Sequence, residues 1–334
     1  MKQPDRQHQR PADDTPEWPE FFKNQVEPFW EQQVISEYFK AFDGIQLHFA
    51  YYKHSADAPL VVIAPGRIES ALKYQELFWE LAQQGFSVAA LDHRGQGLSA
   101  RLTANHHQGH VDNFDDFVRD FSDFTEQLTS LFGNVPKTLF AHSMGGTIAT
   151  IYCATCSHPY NKLILSAPMF SIETGKVPYW LARWVVAAGA CINRYLAKPW
   201  YFFGMGDYQA VPFEENVLTH SKQRYQTFRR VYDNVAEVQL GGPTFNWLYE
   251  AVSAAMKAQQ LASDVHIPVI LFQAGNDQVV SAAGQRKVAA AVTRQYFRFE
   301  TIEGASHELM METDRFRQPV LDAIIEETRE LVNA

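Results

Sequence analysis

Apolar positions along the chain fall into two alternating patterns. Short continuous runs, at Leu60 to Ala64, Phe86 to Leu91, Thr138 to Ala141, Leu163 to Ser166, Val269 to Ala274 and Tyr296 to Ile302, read as strands. An unbroken apolar run suits a strand covered on both faces. Between them, apolar residues recur at helical spacing near Leu72 to Gln84, Phe114 to Phe132, Met144 to Ser157, Ala282 to Val292 and Asp314 to Val332. Strand and helix in alternation predict a mostly parallel sheet flanked by helices. Ahead of this series, Glu37 to Phe42 and Ile45 to Tyr52 flank Asp43-Gly44, which predicts an antiparallel hairpin with a two-residue turn.

The alternation breaks after Ala167-Pro168. Residues 171–262 read as helices and loops without a buried strand, and they carry Trp180, Trp184, Trp200 and Trp247, four of the seven tryptophans. The predicted organisation is a polar tail over 1–28, a core from 29–170 and 263–334, and a helical insertion over 171–262.

Composition narrows the function. The chain has 334 residues, 46% of them hydrophobic, which is enough for one elaborated domain with a substantial core. With 29 basic against 38 acidic residues the net charge is −9, the wrong sign for a surface that tracks phosphates, so no nucleic-acid partner is expected. The first residues lack the apolar stretch of a secretory signal, and no apolar run is long enough to span a bilayer, so a cytoplasmic protein is expected. Cys153 and Cys156 sit inside an apolar helical run and are read as buried thiols.

The chemistry gathers at strand ends. Ala141-His142-Ser143-Met144-Gly145-Gly146 lies between a predicted strand and a predicted helix, the setting in which a tight turn projects a serine hydroxyl, with small residues two positions either side. A serine needs a base, and the base needs a carboxylate to hold its tautomer. Asp277 follows Val269 to Ala274, and His307 follows Tyr296 to Ile302, in the order Ser, acid, His. Asp264 and Glu308 are the alternative acids, but Asp264 precedes its strand and Glu308 adjoins the base. Backbone N–H groups of Met144 and of Arg67, in Ala64-Pro65-Gly66-Arg67, are the expected oxyanion donors. The histidines in His106-His107-Gln108-Gly109-His110 lack a fourth ligand at metal-site spacing, and neither metal nor cofactor is expected.

These motifs are those of an α/β-hydrolase fold, and the chain resembles the bacterial lysophospholipase L2 family, relatives of the monoacylglycerol lipases, a resemblance that implies that the helical insertion is a cap over the site. The resemblance runs through Pro65-Gly66-Arg67-Ile68-Glu69-Ser70, Asp92-His93-Arg94-Gly95-Gln96-Gly97 and the Ser143 motif. It continues in the insertion through Asn216-Val217-Leu218-Thr219-His220-Ser221 and Gly241-Gly242-Pro243-Thr244-Phe245. It implies cleavage of an acyl ester in a single-chain glycerolipid, acyl transfer as an associated activity, and peripheral contact with the cytoplasmic membrane face. Pro65 stands where monoacylglycerol lipases typically carry His, which favours the lysophospholipase branch.

Within that frame, Trp180 and Trp184, with the cluster Trp200 to Phe203, are expected to line an acyl channel. Arg67, or a base of the stretch Lys222, Arg224, Arg229 and Arg230, is expected to meet a substrate phosphate. Monoacylglycerol lipase, general carboxylesterase and a non-catalytic lipid-binding protein remain the alternative functions; the complete Ser, Asp and His set speaks against the last.

Overall fold

The computed structural model describes residues 10–173, 175, 177–292 and 296–333. Eight strands form one sheet: β1 (Ile35–Lys40), β2 (Gln46–Tyr52), β3 (Leu60–Ala64), β4 (Ser87–Leu91), β5 (Lys137–His142), β6 (Lys162–Ser166), β7 (Val269–Ala274) and β8 (Phe297–Ile302). Their order is β1-β2-β4-β3-β5-β6-β7-β8, with β1 and β2 antiparallel to their neighbours and the other pairings parallel. This is the α/β-hydrolase architecture that the strand and helix alternation predicted.

The hairpin turn differs by one residue from expectation. Lys40 pairs with Gln46, so the register centres on Asp43, and the tip is Phe42-Asp43-Gly44 rather than two residues. Gly44 sits at φ +85°, a conformation that glycine adopts without steric cost.

Side chains of β3 show why its sequence is uninterrupted. Leu60, Val62 and Ala64 point into one apolar layer, Val61 and Ile63 into the other. The first layer is built with α4 (Asp115–Phe132), α5 (Met144–Thr155) and α9 (Ala282–Ala291); the second with α3 (Gln75–Gln83) and α10 (Asp314–Asn333). Each buried Val or Ile contributes roughly 1.5–3 kcal/mol.

The segment expected as a polar tail is not one throughout. Residues 1–9 lie outside the described residues, but Trp18 to Gln33 is helical, as α1 (Trp18–Phe21), a π-turn at Phe22–Val26 and α2 (Glu27–Gln33). Trp18, Phe22 and Val26 are buried in the second layer. Polar residues between these anchors hide the pattern in the sequence.

Between β6 and β7 the chain forms α6 (Tyr179–Asn193), α7 (Lys222–Asn234) and α8 (Phe245–Leu261) with long connections. Ala251, Ala254 and Ala258 of α8 belong to the first core layer, so the last part of this segment packs with the sheet's own helices.

Candidate active site

The position of the site follows from the strand order. From β3 the chain crosses to β4 on one side, then returns past β3 to β5 on the other, so the loops after β3 and β5 diverge at a topological switch point, where open α/β sheets bind ligands. Ala64 and Ala141 are register partners, which sets Pro65-Gly66-Arg67 beside His142-Ser143.

Ser143 is the one residue between β5 and α5, and it turns the chain with φ 51° and ψ −116°. A non-glycine residue held there costs about 1–3 kcal/mol. The turn is held by the Ser143 N–H donating to Ser166 O at 3.0 Å and by Ser143 O accepting from Gly146 and Met169 N–H, each at 2.9 Å. Gly145 permits the close approach of α5 to β3: a Cβ there would lie 2.1 Å from Ala64 O.

His307 Nε2 lies 2.9 Å from Ser143 Oγ, and His307 Nδ1 lies 2.7 Å from Asp277 Oδ2. The other Asp277 oxygen accepts the N–H groups of Val279 at 2.8 Å and Val280 at 3.0 Å. Burial pushes the Asp277 carboxyl up, but the hydrogen bond and charge of His307 and these two N–H groups outweigh it and hold the carboxyl below its usual range. Of the alternative acids, Asp264 is exposed in the turn before β7, and Glu308 turns to Lys73 Nζ at 2.6 Å.

The N–H groups of Met144 and Arg67 donate to no protein acceptor among the described residues. Four residues hold the Arg67 loop in place. Glu69 accepts the Gly66 N–H at 2.5 Å, and is itself bound by Lys73 Nζ at 2.8 Å and Tyr74 OH at 2.7 Å. Gln96 Nε2 donates to Gly66 O at 2.7 Å and Glu69 O at 2.9 Å. Sequence reasoning assigned no role to Glu69, Lys73 and Gln96; the presence of Glu69 and Gln96 within the two motifs that carry the family resemblance was the available signal, and Lys73 lies outside both. His142 packs its ring 4.9 Å from that of His307 and is pushed down to about 4, by burial first, so it stays neutral.

Ser143 and His307 open into a cavity of about 930 Å3. Its apolar wall comes from Met169, Ile172, Leu240, Trp247, Leu248 and Val280. Trp180 and Trp184, expected on this wall, are 65% and 72% exposed and border a separate shallow cavity. The reason is helical phase: α6 buries Val186, Gly189, Ala190 and Asn193, and Trp184 lies about 200° around the helix from Val186. Trp200 and Phe203 are likewise exposed, and neither lines this cavity.

The basic stretch of α7 also divides. Arg224 is buried and binds Glu76 at 2.7 and 2.8 Å and Asp314 at 2.7 Å, away from the cavity. Lys222 and Arg230 are exposed, while Arg229 lines the cavity. Arg67 also lines it, with Nη2 donating to Gly241 O at 2.6 Å and its guanidinium 5.0 Å from the Trp247 ring centre. Burial pushes this guanidinium down to about 10.

Sheet and site together define the class, a serine hydrolase of the α/β-hydrolase fold. Residues 55–314 match the family described as Serine aminopeptidase, S33. The chain is 36% identical over 303 residues to Lysophospholipase L2 of Escherichia coli (strain K12), covering 89% of this chain and 88% of that protein. To Probable lysophospholipase L2 of Haemophilus influenzae it is 32% identical over 314 residues, covering 92% and 96%. Among solved structures, the monoglyceride lipase of Saccharomyces cerevisiae aligns with a TM-score of 0.68 at 16% identity, covering 89% of this chain and 94% of that one. The chain belongs to the lysophospholipase L2 family, as the motifs predicted.

Proposed function

We propose that this protein hydrolyses the acyl ester of lysophospholipids through Ser143, His307 and Asp277. The observation that carries the reading is the unbroken hydrogen-bond chain from Ser143 Oγ through the His307 ring to Asp277 at the edge of a largely apolar cavity. The relatives named lysophospholipase L2 support the substrate class.

In this reading Ser143 Oγ attacks the ester carbonyl carbon while His307 Nε2 takes its proton. Asp277 holds the Nδ1–H tautomer and steadies the imidazolium. The N–H groups of Met144 and Arg67 receive the oxyanion, each worth about 3–4 kcal/mol of barrier. The imidazolium gives its proton to the departing glycerol oxygen, leaving an acyl-serine, and water repeats the sequence to release the fatty acid. The segment 171–262 acts as a cap whose residues 204–211 and 240–248 wall the acyl-binding space.

The exposed face of α6 supports peripheral contact with a lipid surface. Trp180, Leu181, Trp184 and Val185 are exposed beside the exposed Arg183, an aromatic and basic combination suited to the headgroup boundary. No helix among the described residues is long and apolar enough to cross a membrane.

The test is fatty-acid release from a lysophospholipid and from a monoacylglycerol of the same acyl chain, with Ser143→Ala as blank. Faster release from the lysophospholipid is expected. Preference for the monoacylglycerol overturns the substrate class and keeps the chemistry. Equal release by wild type and Ser143→Ala overturns the nucleophile.

A further inference from the structure

Buried cations in this protein are, as a rule, matched. Arg94 makes two 2.6 Å bonds to Asp120, and Arg317 faces Glu80. Arg101 lacks a carboxylate, but its guanidinium donates to the carbonyls of Gly97, Ser99, His106 and Glu237.

Arg67 and Arg229 depart from this. Neither has a carboxylate partner, and they are the two arginines among the described residues whose buried Nε–H meets no acceptor. Both line the cavity of Ser143. Arg229 is held by Tyr208 OH at 3.3 Å and by the rings of Tyr225 and Phe228, 5.0 and 5.1 Å from its guanidinium. These contacts fix the side chain without neutralising it. The acidic groups on the same wall face other donors: Glu69 and Glu308 Oε1 bind Lys73, while Glu308 Oε2 meets none, and Asp207 binds Tyr201 OH at 2.5 Å and Asn105 at 2.8 Å. An unpaired charge in a partly desolvated site is costly, and an anionic ligand in the cavity offsets it.

We propose that Arg67 and Arg229 form the binding site for the phosphodiester of the substrate headgroup, selecting glycerophospholipids with one chain over neutral glycerides. This rests on the lysophospholipase reading. Arg67 lies in the loop after β3, and its side chain lines the same cavity as Ser143. The guanidinium fork suits two phosphate oxygens, and both side chains line the cavity without a carboxylate to neutralise them.

The test measures inhibition of p-nitrophenyl butyrate hydrolysis by dodecylphosphocholine and by 1-O-dodecylglycerol, both below their micellar concentrations. Wild type, Arg67→Gln, Arg229→Gln and Arg229→Lys are compared. In wild type the phosphodiester is expected to bind about tenfold more tightly than the neutral ether. The preference falls to near unity in either Gln variant and is partly kept in Arg229→Lys, which retains charge without the fork. Equal inhibition by the two amphiphiles in wild type, or a preference surviving in both Gln variants, overturns the site. If Arg67→Gln does not fold, Arg229→Gln alone decides. A wild type that shows the preference but releases no fatty acid from lysophospholipid keeps the anion site and removes the substrate reading.

Discussion

The carboxylate of Glu69 accepts the backbone N–H of Gly66 at 2.5 Å, and so fixes the aim of the loop that carries Arg67, which lines the cavity of Ser143. The same carboxylate takes Lys73 and Tyr74 as partners, and Lys73 continues to Glu308, next to His307. The loop that carries Arg67 and the loop that carries His307 are thereby joined through one buried cation.

Replacing Glu69 by Gln sets an amide N–H2 against the Lys73 ammonium and disturbs that aim. We expect kcat on a soluble ester to fall roughly a hundredfold with little change in KM. Steady-state kinetics checks this; a raised KM at unaltered kcat would assign Glu69 to ground-state binding instead.

Ser143→Ala is expected to cost on the order of a million-fold in kcat, and Asp277→Asn about 10⁴-fold through loss of the tautomer-holding carboxylate. Comparable losses in the two variants, measured by single-turnover acylation, would show that Asp277 acts on more than the tautomer of His307.

Gly145→Ala reverses the usual helix preference for alanine. The added Cβ meets the backbone of β3 at 2.1 Å, and neither strand nor helix can yield independently. Loss of about 3 kcal/mol or more is expected in place of the ~1 kcal/mol gain of an open helix site, read by urea denaturation.

Acid should weaken the junction of α7, α3 and α10. Burial raises the Asp314 carboxyl, but Arg10 and Arg224 outweigh it and bring it down to about 2; Glu76 is lowered in the same way by Arg224 and Arg317. For depressed carboxylates the stabilisation is present above their unfolded values near 4 and is lost as pH falls toward 2. Arg224→Met leaves Glu76 short of its main partner, so it should destabilise by about 3 kcal/mol at pH 7 and much less at pH 3, where the carboxyl can protonate. Thermal melts at both pH values decide; an equal effect at both would show that packing, not charge, is lost.

Trp184→Ser, paired with Trp180→Ser, should reduce co-sedimentation with anionic vesicles severalfold, because interfacial tryptophans supply much of the apolar burial at a headgroup boundary. Unchanged sedimentation would remove the α6 face as a lipid contact.

The sheet, its strands to within two residues at either end, and the three strand-end residues Ser143, Asp277 and His307 were legible in the sequence because each signal is local. A buried strand writes itself as a continuous apolar run, a tight turn as small residues around a serine, and the order of strands carries the order of the triad. What local pattern could not decide was which face meets which neighbour. Arg224 and Arg229 are five residues apart on one helix, and only packing assigns the first to Glu76 and Asp314 and the second to the cavity. Trp180 and Trp184 look the same in sequence as Trp247, yet α6 turns them outward while α8 turns Trp247 in. Trp18, Phe22 and Val26 sit among polar residues and become core only because α3 and α10 leave a place for them. The sequence by itself determined the elements and the serine, aspartate and histidine that meet at the strand ends. The tertiary structure decided the lining, the ion pairs and the unmatched arginines, because a side chain's environment depends on residues distant in the chain and on the phase of the helix that carries it.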